Sequence, residues 1–249
     1  MLPKIAAIYR YPVKGLGPNR LESAELAPGQ TITGDRLYAI ENGPSGFDPA
    51  RPVYLPKSRF LMLMRNGRLA SLRTAFDQET HTLAITADRR EAVRGDLRTP
   101  EGRAAVEQFF AAFCADELRG PPKVLHAAYV ARKVVSIINL ASVAGLETIL
   151  GVPVHPLRFR ANLYVQGWSA WSEFGLVGRE IAVGTSVRLK VVKRIERCAA
   201  TNVDPDTGVR DLEIPRTLMQ NFDHTDCCIY AEVTAGGSIT TGDELRTDN

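Results

Sequence analysis

Through most of this chain apolar residues alternate with polar ones in short runs, the period-two signature of half-buried strands. Ile5 to Val13 is the first such run, followed by Leu21 to Leu26 and Arg36 to Glu41. Phe60 to Met64 is a short continuous apolar run of the buried-strand type, and Leu69 to Arg73 and Thr82 to Thr86 extend the β content. Val124 to Ile138 is rich in β-branched residues, and Leu157 to Val165, Val187 to Ile195 and Ile229 to Val233 read as later strands. Helical spacing occurs three times. Thr99 is an N-cap with Pro100 at the first helical position, and Val106, Phe109, Phe110, Phe113 and Leu118 share one face. Asn139-Leu140-Ala141-Ser142 opens a second helix that Gly151 ends, and Arg216 to Asn221 is a short third one. The predicted fold class is therefore mainly β with a few helices (α+β). Gly120-Pro121-Pro122 stops the first helix and is the linker candidate, dividing residues 1–122 from 123–249.

Composition narrows the partners. At 249 residues, with 45% hydrophobic and 24% charged, the chain can bury one large core or two smaller ones. A net charge of +3, without a basic run interleaved with aromatics, gives no case for nucleic acid. No apolar stretch approaches membrane-spanning length, and Lys4, Arg10 and Lys14 flank a short apolar piece without a signal-peptide cleavage pattern. No membrane partner is expected. Four cysteines at irregular spacing do not form a disulfide framework, so a cytoplasmic location is the simplest expectation. Cys227 and Cys228 are adjacent, with His224 close by. Neighbours on a strand point to opposite faces, so a shared zinc site is not expected there.

The chemistry concentrates in Glu196-Arg197-Cys198-Ala199-Ala200-Thr201-Asn202-Val203-Asp204-Pro205-Asp206-Thr207-Gly208. Cys198 follows a strand, has a cation beside it and precedes a strong turn signal in which Pro fixes φ and Gly supplies φ > 0. A neighbouring cation lowers a thiol's pKa, and the thiolate is the nucleophile or metal ligand. A buried cysteine acting as a small hydrophobe is the other reading of the same residues.

Arg-Cys-x-x-Thr-x-Val-Asp-Pro-Asp-Thr-Gly resembles the core of the MOSC domain, and is similar in particular to the version in the mitochondrial amidoxime-reducing component. Tyr-Pro-Val-Lys at residues 11–14 resembles the start of the β-barrel domain that precedes MOSC. Matching motifs run from Tyr11 to Asp243, so the resemblance implies a smaller β-barrel-like N-terminal domain followed by a MOSC β-barrel. It further implies that Cys198 ligates molybdenum held by a pterin dithiolene and is the catalytic centre. Lys14, Arg36, Ser142, Arg160, Arg197 and Tyr230 are then the cofactor-binding positions.

Each of these has a second reading from the residues alone. A guanidinium grips a phosphate in a bidentate fork, yet Asp35–Arg36 also reads as a surface ion pair of little worth. Ser142 stands at a helix start, where free N–H groups favour an anion, and is equally a plain cap residue. Arg158 and Arg160, two apart on an expected strand, share a face. Trp168 and Trp171 either frame a substrate mouth or pack internally. Gly15 replaces the serine that relatives usually carry, and Asn221 to His224 departs from the family's tyrosine-arginine pair.

The implied function is a molybdenum-cofactor (molybdenum-molybdopterin) oxidoreductase that reduces N-hydroxylated or N-oxide compounds. No four-cysteine iron–sulfur pattern is present, so a separate flavoprotein, ferredoxin or cytochrome b5-like donor is implied. The alternatives are a sulfur transferase carrying a persulfide on Cys198 and a non-catalytic carrier of the cofactor.

Overall fold

The computed structural model describes residues 2–48, 50, 51, 53, 55–126 and 133–247. The chain is mainly β, with three α-helices among the described residues. Its largest element is an eight-stranded sheet that draws on both ends of the sequence. From one edge the order is Leu245–Thr247, Glu180–Val183, Val187–Glu196, Asp226–Ala235, Val135–Asn139, Leu163–Gln166, Lys4–Arg10 and Asn19–Leu21.

The alternation read from the sequence explains why these segments take their places. In Val187–Glu196 the residues Val187, Leu189, Val191 and Ile195 are buried, while Lys190, Lys193, Arg194 and Glu196 are exposed. Val135–Asn139 is buried throughout and pairs in parallel with Leu163–Gln166, as a strand covered on both faces should. Val135 and Ile137 face a core shared with Ile5, Ile8, Val165 and Ile229. Ile138 faces a second core with Val143, Leu146, Phe159 and Leu218. Near the outer edge Ile5 N donates to the Asp243 carbonyl (2.9 Å) and Gly242 N to the Ile5 carbonyl (2.8 Å), while Lys4 bridges Glu244. The sheet thus curls back on its own first strand. Lys4–Arg10 and Asn19–Leu21 belong to this sheet, and Ser23–Leu26 pairs with Gly237–Thr240 in a small sheet of its own.

A separate core gathers Val13 and Leu16 with buried residues between Tyr38 and Val124. Tyr38–Ile40 pairs with Val124–His126, and Arg73–Phe76, Thr82–Ala87 and Arg90–Asp96 make a three-stranded sheet. Helix α1 (Pro100–Phe113) closes this core with Val106 and Phe110 buried. Burying a Phe side chain stabilises by about 1.5–3 kcal/mol. The Thr99 hydroxyl accepts from Gly102 N (3.0 Å), the expected cap. Cys114 belongs to the same core, and burial pushes its thiol pKa up to about 11. It is a packing residue.

Helix α2 (Leu140–Leu150) starts at the Asn139 cap and ends at Gly151, whose φ is 69°. Helix α3 (Ile214–Phe222) is the expected third one, begun two residues earlier. No helix among the described residues is long and apolar enough to cross a membrane.

Three expected strands are not strands, or not where expected. Phe60 to Met64 is buried but turns, because the Asn66 side chain accepts from Met62 N (3.1 Å) and Asn66 N donates to the Met62 carbonyl (2.8 Å). Gly67–Ser71 is a 3-10 turn, and the strand begins only at Arg73. Leu157 to Val165 opens as a 3-10 turn over Pro156–Phe159, capped by His155 Nδ1 accepting from Leu157 N (3.1 Å). The strand starts at Leu163. Within the β-branched stretch Val124 to Ile138, residues 127–132 lie outside the described residues.

Candidate cofactor cavity

Cys198 is the last extended residue after Val187–Glu196, and a 3-10 turn over Ala199–Asn202 follows it. Its carbonyl accepts from Thr201 N (3.0 Å) and from the Thr201 hydroxyl (3.0 Å), which fixes the cysteine against the turn. The loop beyond is built on Asp204. Asp204 Oδ1 accepts from Asp206 N (3.0 Å), Thr207 N (2.8 Å) and the Thr207 hydroxyl (2.9 Å), a self-closed turn. Its pKa is lowered: burial opposes, but the Thr207 and Asp206 hydrogen bonds and the Arg158 charge outweigh it.

Arg158 clasps this loop from beneath, pairing with Asp204 (3.1 Å) and Asp211 (2.8 Å) and donating to the Asn202 carbonyl (3.1 Å). Arg210 joins the loop to the other core: one guanidinium nitrogen donates to the Ala199 carbonyl, the other to the carbonyls of Leu63 and Met64, each at 2.8 Å. Much of the motif therefore serves to hold Cys198 in place.

A cavity of about 680 Å³ opens where this loop meets the segments around Lys14 and Met62. Cys198 lines it, half-buried and outside every hydrophobic cluster, which favours the functional reading over that of a core thiol. Seven lining residues are cationic, namely Lys14, Arg36, Lys57, Arg158, Arg160, Lys193 and Arg197, against one carboxylate, Glu196. The lysine at position 14 feels this excess. Burial, then the Arg36 and Lys57 charges, lower its pKa to about 8. Its Nζ also lies 4.4 Å from the centre of the Phe60 ring.

The arginines reach the cavity by different routes. Arg36 and Arg160 both have left-handed backbones, each with φ 51°, a conformation that costs a residue with a Cβ and persists only where its surroundings impose it. Arg197 does not turn to Cys198. Its Nε donates to the Cys227 carbonyl (2.6 Å) and Nη1 to the Phe159 carbonyl (3.1 Å), leaving Nη2 buried with no hydrogen-bond partner. A buried, unpaired guanidinium N–H is costly. On the wall of a cationic cavity it fits an anionic ligand.

Of the residues expected to hold a cofactor, Lys14, Arg36, Arg160, Arg197, Cys198 and Tyr230 all line this one cavity, although they span residues 14 to 230. Ser142 does not. Its hydroxyl donates to the Glu173 carboxylate (2.8 and 2.9 Å) and accepts from Trp171 N (2.8 Å), so it is an internal tie. Glu173, fully buried, also takes the Asn139 side-chain N–H (2.8 Å). Burial raises its pKa and these bonds oppose the rise.

The expected pairing of Arg158 with Arg160 on one strand face also fails, because the 3-10 turn separates a clasp residue from a left-handed one. Trp168 packs on the sheet core, and Trp171 lies 4.7 Å from Phe222, ring centre to ring centre. Both tryptophans are partly buried against a core, and neither lines the cavity. Cys227 and Cys228 share one core, because Cys228 has φ 79° and the strand bulges there. Lining residues with no signal in the sequence include Met62, Met64, Lys57, Ser136 and Lys193.

Gly15 is more than a missing serine. Its φ is +86°, and a Cβ there would meet the Leu61 carbonyl oxygen at 2.7 Å. The cavity wall is shaped around its lack of a side chain.

Comparison with known proteins identifies the family. Residues 2–119 match the MOSC N-terminal beta barrel domain, and residues 122–246 match the MOSC domain. A mitochondrial amidoxime reducing component 2 from Bos taurus is 32% identical over 123 residues, 45% of this chain and 36% of that protein. A mitochondrial amidoxime-reducing component 1 from Homo sapiens is 33% identical over 90 residues, 36% of this chain and 26% of its own length. The chain thus spans about a third or less of these relatives. Among solved structures, the YUAD protein from Bacillus subtilis aligns over 98% of this chain and 94% of its own, at 14% identity and a TM-score of 0.47. With its motif cysteine on the cavity wall, the chain belongs to the MOSC domain family, preceded by that family's N-terminal beta barrel domain.

Proposed function

We propose that this protein binds a molybdenum–pterin cofactor in the cationic cavity and reduces N-hydroxylated or N-oxide compounds with electrons from a separate donor protein. The observation that carries the reading is the convergence of Cys198 with Lys14, Arg36, Arg160, Arg197 and Tyr230 on one cavity. The relatives named amidoxime-reducing components support the reaction class.

The donor set fits the cofactor. Cys198 offers one soft thiolate to a high-valent metal, and the cations offer charge-assisted hydrogen bonds to a pterin phosphate. When bound, the cofactor supplies two-electron redox chemistry and a site that takes up oxygen. The balanced reaction breaks one N–O bond, consumes two electrons and two protons, and releases the amine and water. The chain's own part is to hold and exclude. Arg36, Arg160 and the unpaired Arg197 Nη2 bind the anionic end, Tyr230 adds a phenol to the lining, and Met62, Leu63 and Phe159 present apolar wall that limits water. The electrons come from a donor of the flavoprotein, ferredoxin or cytochrome b5-like class.

The test is molybdenum and pterin analysis of protein from a cofactor-competent host, followed by assay with a chemical reductant and a panel of hydroxylamines, amidoximes and N-oxides. Wild type should carry about one molybdenum per chain and form amine, and Cys198→Ser should fall to background because a hydroxyl replaces thiolate poorly. A persulfide on Cys198 without metal or product would replace this reading by sulfur transfer. Bound cofactor without turnover would make the protein a carrier.

A further inference from the structure

The anion-binding arginines stand on a carboxylate that does not itself line the cavity. Asp35 is 5% exposed, so the pair it forms with Arg36 is not the surface pair that the sequence also allowed. Its Oδ1 accepts from Tyr11 N at 2.7 Å. The Tyr11 carbonyl in turn accepts from Arg36 N at 2.7 Å. This reciprocal clip ties the left-handed Arg36 to the end of the Lys4–Arg10 strand. Asp35 Oδ2 lies 3.9 Å from Arg36 Nε, an ion pair on the inner side of the arginine.

The same clip reaches the second arginine. The Tyr11 ring, 1% exposed, carries the Arg160 guanidinium 4.3 Å from its centre. Asn162, two residues beyond Arg160, donates to the Tyr9 carbonyl (3.1 Å), which ties that segment to the strand leading into Tyr11. One buried carboxylate therefore contacts the backbone behind one arginine and the platform beneath the other. Left-handed residues keep such geometry only when their surroundings over-determine it.

We propose that Asp35 is a positioning residue that aims Arg36 and Arg160 into the cavity through Tyr11, and that the cavity's affinity for a phosphate-bearing ligand depends on it. The proposal rests on the anion-site part of the reading above. It has a sign that simple electrostatics does not share. Removing a negative charge from beside an anion site should tighten anion binding, whereas loss of a positioning group should weaken it.

The experiment uses the full chain from a host that makes no molybdenum cofactor, with inorganic pyrophosphate as the probe and binding measured by calorimetry. Asp35→Asn keeps an oxygen for Tyr11 N but turns a donor toward Arg36. It should weaken pyrophosphate binding roughly tenfold, the scale of one lost charge-assisted contact. In an Arg36→Ala background the same change should cost much less than it does alone, because interacting residues are not additive. Tyr11→Leu leaves the clip's backbone in place and removes the platform. It should weaken binding by a similar factor, an effect that vanishes beside Arg160→Ala, and it stands in if Asp35→Asn does not fold.

Tighter or unchanged binding in Asp35→Asn, fully multiplicative losses in the double variants, or no binding by wild type would each overturn the proposal. Molybdenum content from a cofactor-competent host is scored separately. Wild type that stays free of molybdenum even from that host, yet shows the pyrophosphate pattern, would sink the cofactor reading and leave Asp35 in its role.

Discussion

Gly15 shows how far one residue can separate this chain from its relatives. Where they usually carry serine, this backbone has φ +86° and the Leu61 carbonyl oxygen stands 2.7 Å from the place of a Cβ. A serine here would meet two penalties together, a left-handed conformation and a collision with backbone that cannot rotate away. Gly15→Ser should therefore destabilise the fold by about 1–3 kcal/mol and lower cofactor content, despite restoring the family's hydroxyl. Urea unfolding and molybdenum analysis check this. A serine variant as stable and as well loaded as wild type would show that the Leu61 segment simply yields. Asp35 and Ser142 belong to the same scale. The sequence offers Asp35 as half of a surface pair and Ser142 as a cofactor contact or plain cap, and burial makes each an internal tie.

At the scale of elements, the motif around Cys198 is chiefly architecture. Arg158, 4% exposed, satisfies the loop through two carboxylates and a carbonyl, and the loop in turn fixes the cysteine. Removing one partner of a buried pair is far costlier than the pair's net worth, and the partial exposure of Asp211 moderates that here. Arg158→Met should cost about 2 kcal/mol and speed alkylation of Cys198 by a small reagent, since the loop then opens more often. Equal alkylation rates in the two proteins would mean that the loop holds without its clasp.

This also explains what the sequence could reveal. The Val187–Glu196 strand, the Thr99 and Asn139 caps and the Gly151 stop were legible because their causes lie within a few residues. The Leu157 to Val165 strand was misread because His155 and Pro156 start a 3-10 turn that overrides the alternation. Ser142 admits two readings in the sequence because a helix start shows that groups are available without showing what takes them. Here it is Glu173, 31 residues on. Cys227 and Cys228 share a core because a bulge breaks the period of two. The cavity residues Lys14, Arg36, Arg160, Arg197 and Tyr230 were found through family motifs, whereas Lys57, Met62 and Lys193 have no local mark at all.

For the whole molecule, the decisive property is that one cavity collects cations from distant segments where two cores meet. Gly208, with φ +75°, packs within van der Waals reach of Gly67 from the other core, and Arg73 pairs with Asp206 at 2.7 Å across the same seam. Cations brought together this way oppose one another, and Lys14 registers it. Burial leads, and Arg36 and Lys57 add to it, in lowering its folded pKa to about 8, against the usual lysine value of 10.5. The sign of the pH dependence follows. Below about pH 8 the lysine is charged in both folded and unfolded chains, and folding bears the full cost of confining that charge. From about 8 to 10.5 the folded chain releases the proton first, so the unfolded chain binds more protons and stability rises with pH. Lys14→Met should remove that rise, as seen in urea midpoints measured across the window. Pyrophosphate affinity should run the other way, falling in wild type as pH climbs through about 8 while the methionine variant, weaker throughout, stays level over the same step. If wild type and Lys14→Met traced parallel curves in both measurements, the charge of Lys14 would not be coupled to the cavity, and the cationic site would have to be assigned to the arginines alone.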